Sequence, residues 1–225
     1  MRHLLLALGL ASLACNNQKA SGAGSAAPES PAAAPGPAVA LDAKAAEVGQ
    51  PAPDFTLTDT DGKAVQLSDH KGKIVVLEWF NPGCPYVVAS HSKGSLVGTA
   101  ARHQKDGVVW LSINSGAPGK QGAGREANVA AKDRFSMSNP ILLDESGAVG
   151  KLYGAKTTPH LYVIDEGGVL RYRGAIDNSP DGEGQSPSDG TLVNYADRAI
   201  EAVRAKRAPE PAETKSYGCS VKYAS

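Results

Sequence analysis

The sequence predicts an α/β fold, a mixed central sheet flanked by helices, on three observations. The run IVVLEWF (74–80) is apolar and β-branched except at Glu78, the pattern of a strand covered on both faces. A second such run, GVVWLSIN (107–114), follows a stretch of helical character. The folded part closes on two strand-like runs around Glu166-Gly167-Gly168 and then on a helical segment, so parallel strands and an antiparallel hairpin must share one sheet.

The elements follow in chain order. MRHLLLALGLASLAC opens with Arg2 and His3, then an apolar run over 4–14 that is too short to span a bilayer as a helix. Residues 1–14 read as a signal peptide. Ser12-Leu13-Ala14 before Cys15 resembles a bacterial lipoprotein signal with Cys15 as the lipidated residue, although Ser12 stands where leucine is usual; an ordinary secretory signal is the alternative. Residues 15–46 are rich in Ala, Gly, Ser and Pro without apolar periodicity and read as a disordered linker. The domain is expected over 47–207, with 208–225 as a C-terminal tail carrying Cys219.

Within the domain, 55–57 and 65–67 flank Asp61-Gly62 and predict an N-terminal hairpin extension. After the 74–80 strand, Pro85 suits the first turn of a helix over 85–92, with a break at Gly94 and Ser95 capping a second piece to Lys105. A strand over 107–114, a flexible loop SGAPGKQGAG lining the cleft, a helix over 125–135, a strand at PILLDES and a short helix over 149–153 come next. HLYVID and VLRYRGAI form the hairpin, and 191–206 is the last helix, with Leu192, Ala196, Ala199, Ile200 and Val203 on its apolar face.

Charge excludes one class of function. Lys plus Arg and Asp plus Glu both number 23, so there is no electrostatic footprint for nucleic acid. A phosphate loop is excluded as well, because Gly119-Lys120 is followed by Gln121 instead of Ser or Thr.

Three features carry chemistry. Cys84 stands at the end of a central strand and the start of a helix, where unpaired N–H groups and the helix dipole favour thiolate. Its neighbours Asn81, Pro82, Gly83 and Pro85 describe a tight exposed loop, against the alternative of a buried structural cysteine. Glu78, six residues upstream within an apolar strand, is either a buried carboxylate able to exchange a proton with the thiol or a solvent-facing residue. Thr157-Thr158-Pro159 precedes a strand, a place that suits a cis-proline turn, although a trans proline is commoner.

Together GQPAPDFTLTDTDGK, IVVLEWFNPGCPY and GAKTTPHLYVID resemble the thioredoxin-like fold in its redoxin (AhpC/TSA) branch, which holds the membrane-tethered TlpA/ResA-like proteins and the peroxiredoxins; the resemblance spans about 48–206. It implies Cys84 as the nucleophile, Glu78 as the proton-handling carboxylate, and a cis Pro159 that places Thr158 against Cys84 to offer its backbone to a docked substrate. Two departures stand out. The two-cysteine members read Cys-x-x-Cys, but Val87 occupies the second position; peroxiredoxins place Thr or Ser where Asn81 stands.

A resolving thiol must then come from elsewhere, and Cys219 in TKSYGCSVKY is the candidate, since Tyr217, Val221 and Tyr223 suit a docked segment. A permanent Cys84–Cys219 bridge and an unrelated free Cys219 remain open. His160 follows the proline and is a candidate to assist proton transfer beside Cys84. His91 lies two helical turns after Cys84; a Cys84/His91/His160 metal set is conceivable, with surface or core histidines as the default, so no metal and no cofactor are expected. The resulting expectation is an extracytoplasmic, lipid-anchored thiol oxidoreductase of the cell envelope, acting on a protein thiol or disulfide, with Thr158, Pro159 and Pro85 shaping the docking surface. A thiol peroxidase acting on a small peroxide, and a redox-inactive binding module or metal chaperone, are the alternatives.

Overall fold

The computed structural model describes residues 44–225, together with the backbone of Ala38–Val39. The expected signal peptide, Cys15 and most of the linker lie outside these residues. Strand β1 (Ala38–Val39) precedes the hairpin β2 (Phe55–Asp59) and β3 (Ala64–Gln66). Strand β4 (Val75–Trp79), helices α1 (Pro85–Ser92) and α2 (Thr99–Lys105), and β5 (Val109–Asn114) follow. Helix α3 (Arg125–Arg134), β6 (Ile141–Leu143), α4 (Ala148–Leu152) and β7 (Thr157–Thr158) lead to the hairpin β8 (His160–Ile164) and β9 (Leu170–Gly174). The chain ends through α5 (Tyr195–Arg204) and β10 (Cys219–Ser220).

The main sheet has the order β1-β2-β6-β5-β4-β8-β9, with β3 on the free side of the β2 hairpin. Strand β4 pairs parallel with β5 and antiparallel with β8, in the register Glu78↔Ser112 and Glu78↔Leu161. The sheet is therefore mixed, and its central strand is the one that leads into Cys84.

Alternation along β4 sorts the core into two layers. Val75, Leu77 and Trp79 point to one face, where they meet Phe55, Tyr153 and Tyr162. Trp79 is fully buried, its ring tilted against Tyr153 at 5.4 Å and edge-on to Tyr162 at 4.9 Å. Its indole N–H donates to Ser115 Oγ at 3.0 Å, and that hydroxyl donates to Asp144 Oδ2 at 2.6 Å. Val76 points to the other face, against Trp110, Leu161, Ala199, Ile200 and Val203. Each fully buried aliphatic of this kind contributes roughly 1.5–3 kcal/mol.

Several sequence expectations are corrected. Ala46 is buried in the core and its N–H donates to Leu152 O at 3.0 Å, and the backbone of Ala38–Val39 pairs with Thr56–Phe55, so contacts with the sheet occur before Glu47. Ser95 does not cap α2; Gly98 does, and the Ser95 hydroxyl is taken by Asp177. The last helix starts at Tyr195, where Asn194 Oδ1 accepts the Asp197 N–H at 3.0 Å, which leaves Leu192 outside the helix and exposed. The 115–124 loop is held by hydrogen bonds: Asn114 Nδ2 donates to Gly122 O at 2.8 Å and Gln121 Nε2 to Gly83 O at 2.8 Å.

The tail after α5 is docked along the domain. Arg173 N–H donates to Ala212 O, and Thr214 Oγ1 accepts the Ala175 N–H at 2.9 Å. Further along, Val221 N–H donates to Lys156 O, Ala117 N–H to Lys222 O, and Tyr223 Oη to Ala155 O at 2.8 Å. A Cβ on Gly150 would stand 2.5 Å from Tyr223 Oη, and one on Gly147 2.6 Å from its ring, so the ring sits in a cradle open only to glycine.

Candidate active site

Cys84 is the N-cap residue of α1, in extended conformation, with Pro85 at the first helical position. Asn81 shapes the approach: its O accepts the Cys84 N–H at 3.0 Å, its Oδ1 accepts the Gly83 N–H at 2.8 Å, and its Nδ2 donates to Gln121 O at 3.0 Å. The exposed thiol expected from this loop is not found. Cys84 is fully buried among Phe80, Val87, Ala131 and Ile141, because the C-terminal tail lies over it.

The Thr158–Pro159 bond is cis, as the resemblance implied. It brings Thr158 O to 3.1 Å from Cys84 Sγ, which donates to it. The same edge carries a second strand. β10 pairs antiparallel with β7, Cys219 opposite Thr158 and Ser220 opposite Thr157. Both described cysteines are free thiols, and Cys219 packs against the cluster that holds Cys84. Cys219 is thus seated beside Cys84 with both sulfurs as thiols.

The two thiols are electrostatically unequal. Burial pushes Cys84 up, but donation from the Cys219 thiol, the Val87 N–H at the helix start, Thr158 and the Cys219 N–H outweighs it and holds its pKa below the ordinary value. Thr158 Oγ1 is buried with no hydrogen-bond partner, which leaves it free to donate to a thiolate. Cys219 moves the other way, pushed up to about 11 by burial, by donating its proton to Cys84 and by the charge on Cys84. Cys84 ionises first, and Cys219 waits as a thiol.

Glu78 is fully buried, as the proton-handling reading requires. Its Oε2 accepts from Trp110 Nε1 at 3.0 Å and Ser112 Oγ at 3.2 Å, and its Oε1 meets His91 Nε2 at 2.7 Å. His91 lies between Phe80 and Phe135, 5.5 and 5.3 Å from their ring centres. Sequence reasoning gave His91 as a conceivable member of a metal set with Cys84 and His160, and by default as a core or surface histidine; its pairing with Glu78 was not foreseen. The signal was its place two helical turns after Cys84, which puts it on the sheet-facing side of α1.

His160 is not brought to Cys84. It pairs with Trp79 and shares that face with Tyr162, opposite the Glu78 face; its Nδ1 lies 3.3 Å from Tyr162 Oη. Burial, with Arg173 and Lys156 nearby, lowers its pKa to about 4, so it is neutral at physiological pH and gives no charge to a thiolate. The Cys84/His91/His160 set is therefore dispersed over two faces. Among the described residues no group of three or more His, Cys, Asp or Glu is placed to hold a metal ion.

Gly218 is the residue sequence reading missed. Its φ is +119°, and a Cβ there would stand 2.2 Å from Thr158 O. Only glycine lets the strand come this close to the cis-proline turn.

The redoxin family profile matches residues 47–189. The chain is 30% identical over 135 residues to the thiol-disulfide oxidoreductase ResA of Geobacillus thermodenitrificans, covering 56% of this chain and 68% of that protein. Among solved structures it is similar to an uncharacterized conserved protein from Geobacillus kaustophilus, with TM-score 0.68 and 27% identity over 84% of this chain and 97% of that one. A hypothetical protein from Sinorhizobium meliloti 1021 is comparable, with TM-score 0.68 and 25% identity over 81% and 97%.

Proposed function

The chain belongs to the redoxin family and is a thiol oxidoreductase, and on that premise we propose that it exchanges thiols and disulfides through Cys84 and Cys219 as a separated pair. The observation that carries this is the seating of Cys219: β10 sets it opposite Thr158, whose O accepts the Cys84 thiol at 3.1 Å, and it packs against the cluster that holds Cys84. The Cys84 thiolate attacks a substrate disulfide, forming a mixed disulfide and expelling one thiolate, which takes up a proton. Cys219 then loses its proton and attacks the Cys84 sulfur; the second substrate thiolate leaves and a Cys84–Cys219 disulfide remains. Two electrons have passed to the substrate, and an external thiol reductant restores the pair. Once Cys84 is in a disulfide, the anion that held Cys219 protonated is gone, so the resolving thiol is activated only after the first step.

Glu78 and His91 form the buried acid–base pair behind the thiol, with Trp110 and Ser112 fixing one carboxylate oxygen so that the other faces His91. Thr158 and Pro159 shape the docking edge. Peroxide chemistry is less well served, because the Asn81 side chain is committed to Gly83 and Gln121. The chain is read as lipid-anchored at Cys15 on the extracytoplasmic side of a membrane; among the described residues no helix is long and apolar enough to cross one. Retention in the membrane fraction that disappears in Cys15→Ala checks the anchor.

The test is trapping. Mass spectrometry of the mildly oxidised protein should find the Cys84–Cys219 disulfide, Cys219→Ser should accumulate a mixed disulfide on Cys84, and Cys84→Ser should form none. Two free thiols after oxidation would sink the pairing; peroxide consumption dependent on Cys84 would favour the peroxidase.

A further inference from the structure

The edge that the cis-proline turn presents is already occupied. Strand β10 lies on β7 in antiparallel register and delivers a cysteine thiol to Cys84. The strand is selected on three sides. At position 218 a side chain would meet Thr158 O at 2.2 Å, Thr158 C at 2.9 Å and Pro159 Cδ at 3.3 Å, with φ in the region L residues avoid. Tyr217 turns its ring toward Tyr86, 6.2 Å away, and its hydroxyl donates to Asp177 Oδ1 at 2.6 Å. Cys219 itself packs against the cluster of Phe80, Cys84, Val87, Ala131 and Ile141. None of these contacts depends on the peptide being covalently joined to the domain.

We propose that Tyr217–Ser220 is a resident copy of the substrate, and that the site takes extended cysteine peptides with glycine immediately before the cysteine and an aromatic residue before that. This rests on the thiol-exchange reading and adds to it the class of partner. An incoming peptide must displace β10, then places its own sulfur where that of Cys219 lies. In the first step the Cys84 thiolate attacks the cysteine sulfur of a peptide in disulfide linkage, and the group on the far sulfur leaves as a thiolate.

The test uses the full chain with Cys219→Ser, so that no thiol seated beside Cys84 resolves the product. Two probe peptides, Lys-Ser-Tyr-Gly-Cys-Ser-Val and its counterpart with Ala for Gly, are each loaded as the mixed disulfide with thionitrobenzoate. Release of thionitrobenzoate gives the rate, and mass spectrometry confirms the adduct on Cys84. The glycine peptide should react at least about tenfold faster, the size expected for one excluded methyl group. Adding Gly218→Ala to the same chain should unseat β10 and accelerate reaction with the glycine peptide. Equal rates for the two peptides, or no acceleration on Gly218→Ala, would overturn the proposal. If Ellman's reagent also fails to label Cys84 in the Gly218→Ala chain, where β10 is unseated, the thiol-exchange reading itself falls.

Discussion

Tyr217→Phe removes one oxygen from the seam between tail and domain. That hydroxyl donates at 2.6 Å to Asp177 Oδ1, on a carboxyl group that is 1% exposed. A hydrogen bond onto a carboxylate is worth about 1.5–3 kcal/mol. Asp177 keeps the Ser95 hydroxyl and the Ser179 N–H, so the substitution does not orphan it, and the phenyl ring still fits beside Tyr86. The cost therefore falls on docking of the tail and raises the undocked population about 10- to 150-fold. Cys84 is fully buried beneath the tail, so alkylation of its sulfur by iodoacetamide reads that population. The comparison is made at alkaline pH, where the thiol is ionised docked or undocked, and Cys84 is followed by mass spectrometry. An alkylation rate unchanged from the parent would refute the reasoning, because it would mean that Cys84 is reached without lifting the tail.

Acid should destabilise the domain through His160, whose pKa is about 4 folded against an ordinary 6.5. Between those values the unfolded chain binds the proton and the native one does not, so stability is lost as pH falls from 6.5 toward 4, by about 3 kcal/mol in all; urea melts of His160→Gln should show a flatter dependence over that window. Glu78→Ala leaves Trp110 Nε1 and Ser112 Oγ without their acceptor inside the core and should cost about 3–5 kcal/mol, whereas Glu78→Gln, which keeps an acceptor, should fold and lose exchange rate instead. Gly150→Ala pushes a methyl group to 2.5 Å from Tyr223 Oη and 2.6 Å from Ser115 Oγ. It should cost about 1–3 kcal/mol and make the C-terminus cleavable by limited proteolysis.

Strands with a continuous or alternating apolar pattern were legible, since β2, β4, β5, β8 and β9 lie where the pattern put them. Helix starts were legible only where the cap follows sequence order. Pro85 marked α1, but Ser95 looked like a cap for α2 until its hydroxyl turned to Asp177, a residue distant in the chain. The loop at 115–124 reads as flexible from its glycines, yet long-range bonds from Asn81 and Gln121 and a local one from Asn114 hold it. His160 was misplaced for a related reason. Adjacency to Pro159 says nothing about which face of the strand a residue takes, and the pairing with Trp79 turned it away from Cys84.

By itself the sequence determined the class of fold, the place of Cys84 at a helix start and the absence of a second cysteine at Val87, because strand period, helix start and residue identity are local properties. Only the tertiary structure decided that Cys84 is buried, that Glu78 faces His91, and that Cys219 is seated at the thiol. These depend on how a strand edge, a helix end and a tail far along the chain converge, and on Gly218, whose missing side chain matters only once Thr158 O stands against it.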